Sequence, residues 1–184
     1  MPRTLAAVLA GSGVAVAGSV MQMSMHNRFV SPTTAGTSQF ALVGLLAVAL
    51  LAPATSVMGK MLVASACAVA GLGEDAATGL GLSYRLVVDL AVVAAAVMTA
   101  VSVVVVGTLP FLGLVVPNAA SRICGDNLRR ALPVVAAGGA LLTVVCDVVG
   151  RLVHYPYEIS VTVIMGVVGA GAFIVIILRG VDRA

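Results

Sequence analysis

Charged residues are scarce in this sequence. Only 9% of its 184 residues are Asp, Glu, Lys or Arg, whereas a soluble domain has about 25%. Ten basic and seven acidic side chains cannot cover the surface of a folded chain of this length, so a water-soluble fold would expose extensive apolar patches. The composition therefore excludes an ordinary soluble domain and predicts that the protein folds in a lipid bilayer.

Aromatic residues are also rare, at 4% with no tryptophan, while 61% of the residues are hydrophobic and 20 are glycine. Small side chains allow membrane helices to approach closely. At about 20 apolar residues for each crossing, the chain has room for six or seven helices and no extramembrane domain. We predict one all-α domain over residues 1–184, a polytopic transmembrane helical bundle. Helix contacts, rather than a pore lining, are expected at glycines such as Gly11, Gly13, Gly18, Gly166, Gly169 and Gly171.

Common catalytic motifs are absent from the sequence. The chain has two histidines, no His-Glu-x-x-His and no Gly-x-Ser-x-Gly. The net charge of +3 is scattered, without a basic cluster that could bind nucleic acid. The cysteines lack the spacing of metal ligands and are expected to pack in apolar surroundings: Cys67, Cys124 and Cys146. We predict a protein that is not an enzyme, binds no nucleic acid and holds no metal ion.

Turn-forming and polar stretches divide the chain into seven apolar segments. These run over residues 4–25, 39–51, 57–72, 85–107, 111–121, 131–150 and 159–178. Leu109-Pro110 ends one helix, so the segment that follows must be a short or tilted crossing. The start of the chain could be mistaken for a secretory signal peptide, but further membrane segments follow it, which favours a permanent span.

Basic residues orient the bundle, because cytoplasmic loops of membrane proteins carry an excess of Lys and Arg. With seven crossings and a cytoplasmic C-terminus, seven arginines lie inside and three basic residues lie outside. The inner group is Arg28, Arg85, Arg122, Arg129, Arg130, Arg179 and Arg183, and the outer group is Arg3, Lys60 and Arg151. We therefore expect a multi-pass membrane protein with its C-terminus in the cytoplasm.

Asp147 and Arg151 are the most informative charges in or beside a span. Four residues apart on a helix, with the acid first, they share a face and can neutralise each other. One interpretation is therefore a structural ion pair, which the spacing by itself favours. The other is that Arg151 presents a positive group at the outer surface to an acidic partner.

Six motifs, in their order along the chain, resemble the permease subunits of the iron-siderophore and vitamin B12 class of ABC importers. They lie at residues 2–6, 27–32, 73–81, 111–118, 125–127 and 147–159. The loop Asn27-Arg28-Phe29-Val30-Ser31-Pro32 is similar to the family's Asn-Pro-Leu-Ala-x-Pro, and Arg28 in place of the proline resembles the ferric-catecholate siderophore subgroup. The resemblance implies a permease that moves iron-siderophore complexes across the bacterial cytoplasmic membrane.

The resemblance also implies partners. The family's cytoplasmic coupling segment, which docks into a separate ATPase subunit, is similar to Gly73, Glu74, Ala77, Leu80 and Gly81. The ATP binds to that subunit, so this chain would need no cofactor. Arg3 and Arg151 would receive glutamates of an extracytoplasmic substrate-binding protein, and a guanidinium suits the recognition of carboxylates. A second permease subunit, identical or different, would complete the transport path.

Members of that family have ten membrane helices, and this chain resembles only seven of them. It starts at the second helix and passes from the fourth directly into the coupling segment, with a junction near residues 70–73. The first, fifth and sixth helices are expected to be missing. The alternative interpretation is therefore a truncated, non-transporting membrane protein or a relic of such a permease. A small secondary transporter would need an ion-coupling acid within a span, and Asp147, already paired, is a poor candidate.

Overall fold

Seven helices follow one another along the chain in the computed structural model, which describes residues 2–25, 27–70, 83–125, 128–153 and 159–181. They are α1 (Pro2–Ser24), α2 (Thr37–Leu51), α3 (Val57–Ala70), α4 (Ser83–Val105), α5 (Leu112–Cys124), α6 (Leu128–Leu152) and α7 (Val161–Val181). No strand occurs within these ranges. The prediction of an all-α bundle with about seven helices is confirmed.

Small side chains fill the interior of the bundle, and large apolar side chains cover its surface. Alanine dominates the buried residues, together with threonine and serine. Many leucine, valine, isoleucine and methionine side chains face outward, and Leu51 and Ile123 are 86% and 79% exposed. This distribution is the reverse of that in a soluble protein. It suits helices that pack closely on one another and present their bulk to lipid.

Two helices are long and apolar enough to cross a membrane unaided, over Arg3–Ser24 and Arg130–Leu152. Of the other helices, α4 and α7 have 23 and 21 residues, whereas α2, α3 and α5 have 15, 14 and 13, fewer than the about 20 of a straight crossing of the hydrocarbon core. The shorter helices therefore need help from neighbouring backbone to complete a crossing.

The crossing that contains α5 shows how this is done. Residues 106–111 run non-helically along α7: the Thr162 hydroxyl donates to the Thr108 carbonyl at 2.8 Å, and a Cβ on Gly169 would lie 2.6 Å from that of Phe111. The helix α5 then begins beside the middle of α7. Such irregular backbone is tolerated in a membrane where protein surrounds it, and Leu109 in this segment is 3% exposed. The predicted break at Leu109-Pro110 and the short helix after it are confirmed.

Glycine brings α1, α5 and α6 into backbone contact. A Cβ on Gly139 would lie 2.5 Å from the carbonyl oxygen of Gly11, and one on Gly18 would overlap the backbone of Gly113. The predicted contact glycines are confirmed at Gly11, Gly13, Gly18, Gly166 and Gly169, but the prediction for Gly171 was wrong, because no atom of the described residues lies within 4 Å of its Cβ position. Spacing along a helix does not specify which face meets a neighbour.

The helices form two groups around separate cores. The four-helix group, α1, α5, α6 and α7, encloses a core that includes Val14, Leu112, Val135 and Met165. The three-helix group, α2, α3 and α4, meets through alanines such as Ala41, Ala64, Ala96 and Ala100. The groups join where Ala17 and Met21 of α1 pack against Ala95 of α4.

Candidate functional site

Three charged residues meet at one end of the bundle, which we call the arginine end. Asp147 lies one turn before the end of α6, and its side chain is only 5% exposed. One carboxylate oxygen contacts Nη2 of Arg151 at 2.5 Å, and the other lies 3.6 Å from Nε of Arg3, at the start of α1. The guanidinium side chains of Arg3 and Arg151 are 53% and 40% exposed. The fold thus brings Arg3 next to two residues that lie far from it in the sequence.

The electrostatics of this cluster follow from the charges and the burial of its three side chains. An unpaired carboxylate buried near the membrane would be costly, and two guanidinium groups neutralise it. These three residues contribute two positive charges and one negative charge. Arg151 also keeps a buried Nε for which the described residues supply no hydrogen-bond acceptor. A half-exposed guanidinium pair can bind an acidic group of another protein.

The opposite end, which we call the loop end, carries the ordered loop 27–36. Its hydroxyl groups bond to its own backbone: the Ser31 amide donates to Thr34 Oγ1 at 2.8 Å, and the Thr34 amide donates to Ser31 Oγ at 3.2 Å. The Thr37 hydroxyl, at the start of α2, donates to the Pro32 carbonyl at 2.6 Å. Because Ser31 and Thr37 are fully buried, these bonds are protected from water and hold the loop in one conformation.

Two amide side chains fasten this end to α5. The Asn118 side-chain amide donates to the carbonyl oxygens of Arg28 and Leu114, both at 2.8 Å. The Gln22 side chain, from α1, donates to the Gly113 carbonyl at 3.2 Å. Two motifs about 90 residues apart, 27–32 and 111–118, are therefore in direct contact. The sequence singles out each motif but contains no signal that they meet.

A cavity of about 340 Å³ with both polar and apolar lining residues opens between α1, α5, α6 and the loop. The polar side chains in its lining are Ser19, Gln22, Asn27, Arg28 and Ser121. Among the described residues, no group of three or more His, Cys, Asp or Glu side chains could hold a metal ion.

The predicted coupling segment, Gly73, Glu74, Ala77, Leu80 and Gly81, lies outside the described residues. The helix before it, α3, ends at Ala70, and the helix after it, α4, begins at Ser83. Successive helices of the bundle alternate in direction, so α3 ends and α4 begins at the loop end. The described helices on either side of the segment thus end and begin at the end of the bundle opposite to the arginine cluster.

The chain matches the FecCD transport family over residues 1–72 and again over residues 61–179. It belongs to this family. The two matches share residues 61–72, which correspond to most of α3. Part of one helix in this FecCD protein is thus covered by both matches.

Curated relatives of this FecCD protein are permeases of iron import systems. It is 28% identical to the petrobactin import system permease protein YclN of Bacillus subtilis, over 97% of this chain and 84% of the relative. It is 30% identical to the petrobactin import system permease protein FatD of Bacillus anthracis, over 97% of this chain and 80% of the relative. The ferric-anguibactin transport system permease protein FatD of Vibrio anguillarum is 27% identical, over 98% and 85%.

A solved structure supports the fold. An inward-facing conformation of a putative metal-chelate type ABC transporter superposes with a TM-score of 0.82 at 17% identity, over 97% of this chain and 86% of that one. The three-dimensional arrangement of the FecCD protein is thus that of an ABC transporter permease.

The relatives are longer within the matched region. The match to YclN spans 266 residues of that protein, whereas this chain has 184 in all, so at least 82 residues of the matched span have no counterpart here. At about 20 residues for a crossing, this difference is enough for several membrane helices.

Proposed function

We propose that this chain is the permease subunit of an ABC importer that moves iron-siderophore complexes across the bacterial cytoplasmic membrane. The observation that carries the proposal is the FecCD match, which extends over nearly the whole chain. The relatives named for petrobactin and anguibactin import support the substrate class.

The proposed orientation places the loop end in the cytoplasm and the arginine end outside. Exposed arginines at the loop end, Arg28, Arg122 and Arg130, support it through the positive-inside rule. In this orientation the segment with Glu74 faces the cytoplasm, where a separate ATPase subunit would dock on it. ATP hydrolysis would take place on that subunit, and a second permease subunit would complete the path.

The arginine end is the proposed docking site for an extracytoplasmic substrate-binding protein. Arg3 and Arg151 lie on either side of Asp147 and are half-exposed, so glutamates of the partner could reach both. The structural and functional interpretations of Arg151 are compatible in this arrangement. Its Nη2 pairs with Asp147, while its other terminal nitrogen could pair with the partner.

The internal shortening is proposed to lie next to the coupling segment. The overlap of the two family matches within α3 supports a junction close to residues 70–73. Two neighbouring helices can be removed there without changing the side of the membrane on which later residues lie. Whether the shortened chain transports is decided by the experiment below.

The test is ATP-dependent uptake by proteoliposomes. The chain is co-reconstituted with the ATPase subunit and binding protein of its transport system, and uptake of radiolabelled iron as ferric petrobactin and ferric anguibactin is measured. We expect uptake that requires ATP and is abolished in Glu74→Arg, because the reversed charge disrupts docking of the ATPase. The matched control is Lys60→Glu, a charge reversal at the opposite end.

Three results would contradict the proposal. Stable insertion without uptake would identify a non-transporting protein. Uptake without any ATPase subunit would indicate a secondary transporter. Co-purification of the ATPase with Glu74→Arg as efficiently as with the parent would show that the coupling segment has been assigned wrongly.

A further inference from the structure

We propose that Asp147 is a positioning residue that holds Arg3 and Arg151 as a paired acceptor for one carboxylate of the docking protein. This inference rests on the proposed function, because it concerns the same docking site. It adds a role for the acidic residue between the two arginines, which does not itself touch the partner.

The position of Asp147 is set by a close backbone contact between α1 and α6. Gly11 of α1 packs against Gly139 and Thr143 of α6, so closely that a Cβ on Gly11 would lie 2.6 Å from the Gly139 carbonyl oxygen. Asp147 is one helical turn beyond Thr143 on the same face of α6, and Arg3 is two turns before Gly11 on α1. The ion pairs thus continue the contact between α1 and α6 to the end of the bundle, where Asp147 has little freedom to move.

The three side chains differ in solvent exposure, and this difference separates their roles. Asp147 is 5% exposed, whereas Arg3 and Arg151 are 53% and 40% exposed, so an incoming protein meets the guanidiniums and not the carboxylate. Asp147 contacts Nε of Arg3 and Nη2 of Arg151, one nitrogen of each planar group. A guanidinium has five N–H donors, so a carboxylate below does not prevent recognition of another carboxylate above.

Two arginines do not adopt such an arrangement by themselves. Their like charges repel, and each side chain has many rotamers to lose when it becomes ordered. A carboxylate between them cancels the repulsion and selects one arrangement before the partner arrives. Preorganisation of this kind lowers the cost of binding.

The sign of one substitution distinguishes positioning from simple charge attraction. Asp147→Asn raises the charge of the site by one unit. Attraction of an acidic partner would then become stronger and association faster. If Asp147 positions the arginines, docking becomes weaker despite the extra positive charge, through faster dissociation.

The experiment measures docking kinetics of the substrate-binding protein of the same transport system on the chain with its ATPase subunit in nanodiscs. We expect Asp147→Asn to weaken docking about tenfold, mainly through the dissociation rate, and Asp147→Glu to weaken it about threefold, since the added methylene displaces both guanidiniums. Arg151→Gln should also weaken docking at least tenfold. Arg130→Gln, a charge change at the loop end, is the control and should dock like the parent.

Thermal stability of each variant is measured in the same nanodiscs. Docking by Asp147→Asn as tight as the parent, or tighter, overturns the inference while the docking site itself stands. Reduced thermal stability with unchanged docking affinity also overturns it, because Asp147 would then be structural only. If Asp147→Asn does not fold, docking by Asp147→Glu is the test, and unchanged docking by that variant overturns the inference. Parent-like docking by Arg151→Gln rejects both the docking site and the inference.

Discussion

The four-helix group and the three-helix group are held together by different interactions. In the four-helix group, glycines bring backbones into contact, and polar side chains join separate elements, as in Arg3–Asp147 and Gln22–Gly113. Within α2, α3 and the described side chains of α4, most contacts are made by alanines, with one glycine, Gly44, whose Cβ position lies 2.8 Å from Cys67 Sγ. Hydroxyls such as that of Thr99 bond to their own helix, here to the Ala95 carbonyl. The three-helix group therefore depends on close packing of small apolar side chains.

This difference has a consequence specific to membranes. Lipid is as apolar as leucine, so no hydrophobic force drives one membrane helix against another, and association depends on packing and on polar contacts. The group with both kinds of contact carries the arginine cluster and the fastened loop. The three-helix group flanks residues 71–82, next to which we propose that helices of longer relatives have been lost. Helices with few polar contacts between them can change neighbours at lower cost.

The largest expected effect is that of a bulky side chain at a glycine contact. Gly18→Leu would place a side chain where the backbone of Gly113 lies, so α1 and α5 must separate. We expect a loss of about 3 kcal/mol or failure to insert, measured by thermal denaturation in detergent. Gly171→Leu is the matched control, since no atom of the described residues lies within 4 Å of that Cβ position, and its stability should be unchanged. Equal effects at both positions would contradict the proposed importance of the α1–α5 contact.

An intermediate effect is expected at Asn118, which joins loop 27–36 to α5. Asn118→Leu removes the donor to the Arg28 carbonyl, and an unsatisfied buried polar group costs about 1–3 kcal/mol. We expect lower thermal stability and faster proteolysis of the loop. The control is Gln39→Leu, an exposed amide on α2. If both substitutions have the same small effect, the amide contact does not distinguish the loop end from the rest of the bundle.

The smallest effects are expected at two adjacent residues of α2, with opposite signs. The Thr37 hydroxyl donates to the Pro32 carbonyl, whereas Ser38 Oγ is buried with no partner among the described residues. Thr37→Val should lower stability by about 1 kcal/mol, and Ser38→Ala should leave it unchanged or raise it by about 1 kcal/mol, because one loses a hydrogen bond and the other an unsatisfied polar atom. Chemical denaturation measures both. A loss in Ser38→Ala as large as that in Thr37→Val would show that Ser38 has an unrecognised partner.

Much of the local structure was predictable from the sequence. Leu109-Pro110 predicted the break before α5 because proline cannot continue a helix. The apolar segments predicted the helices, although α5 starts one residue after the expected 111 and extends three residues beyond 121. At Gly171 the prediction failed, because the residue faces away from every described neighbour.

The contacts that form the candidate site were not predictable. Asp147 and Arg151 are neighbours on one helix, so their spacing indicates a shared face, but nothing in the spacing indicates that Arg3 also reaches Asp147. Asn118 reaches the carbonyl oxygen of Arg28 because α5 begins in the middle of the bundle. The non-helical segment 106–111, which runs along α7, determines where α5 begins.

By itself, the sequence determined the lipid environment, the helical class, the break at Pro110 and the motifs that indicate the family. These depend on composition and on short-range periodicity, which act within a few residues. Only the tertiary structure decided that Arg3 and Arg151, far apart in the chain, share the buried carboxylate of Asp147. It also decided that loop 27–36 is fastened to the short helix α5. These contacts depend on which helices are neighbours and on how closely their backbones approach. Gly11, Gly18 and Gly139 allow the close approach because they have no side chain to keep the helices apart.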